Sequence, residues 1–305
     1  MKQSHHIPHF ALACAAICAA ASIDHANAKD RGAANPYFED LSEQPASKSV
    51  GDADVNAKSV IRCTADKRWC AELLTNADTI GFTMNLFDGR SRDDADSIRK
   101  NIASYTVSED SGDSAYDRSS TEIWPQIIRQ PVGDPVDEGT EPRETIIIGL
   151  LSGQSSMYSG GGAQVTTLNL YRVNGDPFTN AGLENVLNVP WNGSIMIRAC
   201  FSEEDLTLRK GVCHDLYDFT AELTLAKSHN SPLLPQLIYQ TKAVATPGTS
   251  RRSNDNSTGV QLTDKDILPQ TDLRCSYRRL LTYNPTTQRY EFDRPGPDCS
   301  DYTMP

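Results

Sequence analysis

Histidine is scarce where catalysis would need it. Four of the six histidines, His5, His6, His9 and His25, precede residue 26, and only His214 and His229 follow. A Ser-His-Asp arrangement would have to use one of these two imidazoles. It also has no nucleophile motif, since Gly153-Gln154-Ser155-Ser156-Met157 lacks the second glycine of a nucleophile elbow. No Cys-x-x-Cys pair occurs, which argues against zinc. The glycine run Tyr158-Ser159-Gly160-Gly161-Gly162-Ala163 has no Gly-Lys-Ser/Thr ending, so it is not a phosphate loop. No apolar run reaches the roughly 20 residues that span a bilayer. Apolar segments do not alternate with long helical patterns, which argues against a parallel α/β fold, and no fixed-period repeat is present. Positive charge is short too: 29 Lys and Arg face 40 Asp and Glu, for a net charge of −11. Such a surface repels nucleic acid and anionic lipid headgroups. Arg251-Arg252 and Arg278-Arg279 are small basic spots without the interleaved aromatics of a nucleic-acid surface.

What is present begins at the N-terminus. Lys2 opens a polar head, Phe10 to Ile23 is uncharged and rich in alanine, and Ala26-Asn27-Ala28 supplies small residues for cleavage. These are the three parts of a secretory signal peptide over residues 1–28. Ala11-Leu12-Ala13-Cys14 is a poor lipid-anchor box and comes too early in the apolar run. The alanine-rich run is bacterial in character, so the expected address is the periplasm or the exterior. Six cysteines follow the signal: Cys63, Cys70, Cys200, Cys213, Cys275 and Cys299. An even count in an exported chain reads as disulfides. Pairing of sequence neighbours is the simplest scheme: Cys63–Cys70, Cys200–Cys213 and Cys275–Cys299. A four-residue turn at Ala65 to Arg68 would set Cys63 opposite Cys70 on a hairpin, within disulfide reach. Loop closure gives each bridge roughly 2.5–3.5 kcal/mol.

The patterning predicts a mainly β fold: antiparallel sheets, sandwich-like, with one or two short helices and disulfide reinforcement. Residues 29–57 read as a flexible polar leader. Residues 58–175 read as an N-terminal β subdomain and 176–305 as a C-terminal one, or the two as one continuous domain. Val60 to Cys63 and Trp69 to Leu74 form the first hairpin. Ile80, Phe82, Met84 and Leu86 alternate with small or polar residues, as in a half-buried strand. Ala95, Ile98, Ile102 and Tyr105 fall at helical spacing, which predicts a helix over 92–104. A second short helix is expected within 178–189, and loops at 108–120 and 130–144. Thr145 to Leu151 is apolar throughout, as in a strand buried on both faces. Tyr217, Phe219, Ala221, Leu223 and Leu225 share one parity, the clearest amphipathic strand in the chain. Residues 245–272 form a long polar loop, and Arg274 to Asp293 a terminal hairpin.

Candidate binding residues are Tyr158, Gly160 and Gly161 in the glycine-rich hairpin, and Trp191 at a loop-to-strand junction. Four residues, not two, lie between Ser152-Gly153 and Tyr158. That departs from the Ser-Gly-x-x-Tyr loop of small periplasmic lysozyme inhibitors. His214 falls on the polar face of its strand, with Cys213, Asp215 and Tyr217 on the other. Acidic clusters at Asp93-Asp94, Glu109-Asp110, Glu203-Glu204-Asp205 and Asp264 with Asp266 are the carboxylates available to a hydrolase. No cofactor or metal is expected. The function these observations favour is non-catalytic binding of an envelope protein or glycan. The alternatives are a hydrolase of envelope polymers using paired carboxylates and a secreted or periplasmic enzyme inhibitor.

Overall fold

The computed structural model describes residues 37–44, 57–76, 81–87, 100–106, 118–132, 143–174, 182–227, 234–252 and 260–305. All belong to the unit Ala33–Pro305. Residues 1–28, where a signal peptide is expected, His229, Asp93-Asp94 and Glu109-Asp110 lie outside the described residues. In chain order the strands are β1 (Tyr37–Asp40), β2 (Ser42–Gln44), β3 (Ala57–Cys63), β4 (Cys70–Asn76), β5 (Gly81–Phe87), β6 (Lys100–Thr106), β7 (Arg118–Val132), β8 (Arg143–Tyr158), β9 (Gly161–Asn174) and β10 (Gly182–Arg198). After the helix α1 (Glu203–Leu208) come β11 (His214–Leu225), β12 (Leu237–Thr246), β13 (Gln270–Thr271), β14 (Arg278–Asn284) and β15 (Arg289–Phe292), and then α2 (Ser300–Thr303).

These strands make two antiparallel sheets. The larger runs β1-β7-β8-β9-β10-β11-β12-β14-β15, with β13 added to β12, and the smaller runs β2-β3-β4-β5-β6. The expected mainly β, disulfide-reinforced fold is therefore the one found. β9 and β10, which lie on either side of position 175, pair along their length within the large sheet.

Core placement follows from alternation. On β8, Ile146, Ile148 and Leu150 join Leu41, Trp69, Leu73 and Leu86 in the core between the two sheets. Ile147 points the other way, into the largest core, with Leu168, Leu170, Val189, Leu223, Tyr239 and Leu281. That is why this strand carries an unbroken apolar run. The largest core joins strands from both ends of the large sheet, so the sheet curls over on itself. Register shifts near Asn185 and at Pro190–Asn192 on β10 supply the corner. A third core gathers Ala163, Val165, Ile195, Tyr217, Phe219 and Ala243 under α2. Gly193 allows this roof to close, since a Cβ there would meet the carbonyl oxygen of Tyr302 at 2.0 Å.

All three expected disulfides are present, with Cα separations of 4.0 Å for Cys63–Cys70, 4.8 Å for Cys200–Cys213 and 5.7 Å for Cys275–Cys299. Cys63 and Cys70 are opposed in the hairpin register, and β11 alternates as read.

Several local expectations are corrected. Residues 37–44 of the expected leader are strands: β1 pairs with β7 and β2 with β3, so one short segment stitches both sheets. The helix expected over 92–104 is replaced, from Lys100 on, by β6, which pairs with β5. The free edge of β5 outweighs a local helical spacing. The helix expected within 178–189 is β10 from Gly182 onward. Its bulge shifts the alternation, so Leu183, Val186 and Leu187 fall three and four apart and imitate a helix. Residues 118–120 and 130–132, expected in loops, belong to β7, and 143–144 to β8. Among the described residues the two short helices are α1 and α2.

Candidate functional site

The β8–β9 hairpin closes through a two-residue turn, with Tyr158 opposite Gly161. Gly160 sits in the turn at φ 83°, a conformation that glycine adopts without strain. Gly161 is required by space. A Cβ there would lie 2.2 Å from the Met196 carbonyl oxygen and 2.5 Å from the Tyr158 ring. Tyr158 therefore lies down across Gly161 and donates its hydroxyl to the Met196 carbonyl at 3.1 Å. Burial raises the Tyr158 phenol pKa, and the nearby Arg252 guanidinium draws it back. Arg252, within the polar loop expected over 245–272, thus lies near the hairpin tip.

The rest of this end is braced. Arg198 packs its stem against Gly160. Its Nε donates to the Cys200 carbonyl at 2.8 Å, and its guanidinium lies 5.3 Å from the Phe201 ring. The Cys200–Cys213 bridge closes the loop that carries α1. Ser202 caps α1 and Asp205 accepts from the Phe201 amide, which holds the Asp205 carboxyl below its ordinary range. Buried Arg209 and Asp215 pair beneath it. Arg252 donates to the carbonyls of Ser300 and Met304 and ties the loop to the C-terminal turn.

On the outward face of this end the register aligns one row across four strands: Met157, Gly162, Met196 and Leu216. Met157 is 73% exposed, Met196 41% and Leu216 37%, and Phe201 beside Arg198 is 60% exposed. Sequence reasoning missed this row. Each member is a single apolar residue at the end of its own strand, and only the strand order makes them adjacent. The three hairpin candidates lie at this end of the sheet, but Tyr158 and Gly161 alternate with Met157 and Gly162 and so face away from the row, and Trp191 does not join them. It is half-buried on the largest core, edge-on to Trp124 at 6.1 Å.

Carboxylates converge elsewhere. Arg129 is buried and takes Glu144 in a two-pronged pair at 3.0–3.2 Å, Glu39 at 2.7 Å and Asp66 at 3.3 Å, with the Tyr37 ring at 5.5 Å. Trp69 also donates to Glu144 at 3.1 Å. This cluster joins β1, β7, β8 and the β3–β4 turn. Of the expected acidic clusters, Glu203-Glu204-Asp205 forms the first turn of α1. Asp264 pairs with Lys210, and Asp266 accepts from Thr263. His214 is exposed on the polar face of β11. Among the described residues, no three His, Cys, Asp or Glu side chains are grouped to hold a metal ion, and no helix is long and apolar enough to cross a membrane. The disulfides and the β fold fit an extracellular protein. Comparison with family models, with curated proteins and with solved structures finds no match to this chain.

Proposed function

We propose that this is an exported, non-catalytic protein of the bacterial envelope that binds another protein through the β8–β9 hairpin end of its large sheet. The observation that carries the reading is the exposed row Met157–Met196–Leu216, in register across adjacent strands and bordered by Phe201 and Arg198. Exposed apolar residues are ordinary when scattered, whereas a contiguous set backed by a rigid sheet marks a contact surface. Methionine suits such a surface because its flexible thioether adapts to a partner. Protein is favoured over glycan because the row is aliphatic, and Trp191 is packed on the core rather than offered for stacking. A hydrolase is disfavoured because, among the described residues, the carboxylates that converge do so on Arg129, which pairs with them.

Affinity capture from envelope extract tests this with two baits, the wild-type chain and a Met196→Glu, Leu216→Glu variant. A stoichiometric protein held by the wild type at moderate salt should be lost from the variant, with the near-ultraviolet circular dichroism of the two baits unchanged. The same protein retained equally by both would overturn the assignment of the surface. So would saturable glycan binding that the variant preserves.

A further inference from the structure

We infer that Met157 and Met196 form a binding site for a soft monovalent metal ion, copper(I), on the outward face of the sheet. All six cysteines after the signal are committed to disulfides. Thioethers are the next softest donors, and soft sulfur ligands select copper(I) over zinc or harder ions. The two methionines flank a single strand, each opposite Gly162. Gly162 has no side chain to part them. The Met157 sulfur occupies that space, lying 2.9 Å from where a Cβ at 162 would stand. Met157 is therefore folded over β9 toward β10, where Met196 emerges on the same face. Across one strand the gap is about 10 Å between Cα atoms, within the joint reach of two long side chains.

A third donor is at hand. His214 precedes Leu216 by two on β11, so it shares the outward face and lies diagonal to Met196. Arg198, directly opposite His214, has its guanidinium drawn off to the Cys200 carbonyl and the Phe201 ring. Both sulfurs sit on exposed side chains, so an ion reaches them without opening the fold. The inference stands apart from protein docking, although it uses two of the same residues.

The test is a titration of the full chain, disulfides formed and no partner present, with silver(I) as an air-stable stand-in for copper(I). Carbon-13 methionine methyl resonances are followed. Met157 and Met196 should shift together and saturate at one ion per chain. Met304, exposed at 56% and on a different element, should stay still over that range. Met157→Leu and Met196→Leu should each weaken binding tenfold or more, and His214→Ala several-fold. A parallel response of Met304 would show only adventitious thioether binding and overturn the site. So would a Met157 titration unaltered by Met196→Leu. Unchanged affinity in His214→Ala would remove the imidazole from it.

Discussion

A methyl group at position 161 has nowhere to go. Its nearest neighbours would be a backbone carbonyl of β10 and the ring of Tyr158, which is itself tied to that carbonyl. Gly161→Ala should therefore cost about 1–3 kcal/mol, as overpacking does, and release Tyr158 from Met196. At Gly162 the nearest atom is the end of a flexible methionine, so Gly162→Ala should cost distinctly less. Urea unfolding of the two variants compares them, and equal losses would show that Tyr158 does not depend on the glycine beneath it. Single residues were legible when their chemistry was local. The six cysteines announced their pairing, and the glycine run announced a hairpin. Arg129 did not, because its partners Glu39, Asp66 and Glu144 come from three distant segments that only the fold assembles.

Among the elements, α2 is held by its packing, by the Tyr302 hydroxyl donating to Asp272 at 3.2 Å, by the contacts from Arg252 and by the Cys275–Cys299 bridge. Replacing both cysteines by serine should cost about 2–4 kcal/mol. It should also loosen the roof over Tyr217, whose ring meets Tyr302 edge-on at 5.8 Å. Amide hydrogen exchange across residues 299–305 measures this, and unchanged protection there would mean that packing alone seats the helix. Strands with clean alternation, such as β11, could be read from the sequence, as could the doubly buried β8. The failures have physical causes. Pro125 and Pro131 hid β7, a bulge disguised β10 as a helix, and the demand of a neighbouring edge turned a helical spacing at β6 into a strand. No local signal pointed to the exposed row, since strand order is a property of the whole sheet.

For the whole molecule, the Arg129 cluster links the edge strand β1, the large sheet and the turn of the small one. Partial burial pushes the Asp66 carboxyl up, but hydrogen bonds from Thr64, the Arg68 amide and Arg129 outweigh it and hold the pKa below the ordinary value. A carboxyl lowered in the folded state stabilises it fully above the unfolded value of about 3.9. That contribution is lost as pH falls through the folded value. Wild-type stability should thus decline below about pH 4. Asp66→Asn should begin lower near neutrality and decline less steeply over the same range. Urea midpoints across that range decide the matter, and parallel curves would remove Asp66 from the acid response.

The segment that stitches both sheets also sets a timetable. Ser42 meets Cys63, made 21 residues later (63 − 42), but Tyr37 must wait for Arg129, made 92 residues later (129 − 37). At about 5–20 residues per second, the second wait lasts roughly 5–20 s. During it β2 can join the small sheet while the Tyr37-Phe38 edge stands unpaired. The nascent chain is then a natural client for holding chaperones until β7 arrives, and its first strand pairs only after five later strands have been made.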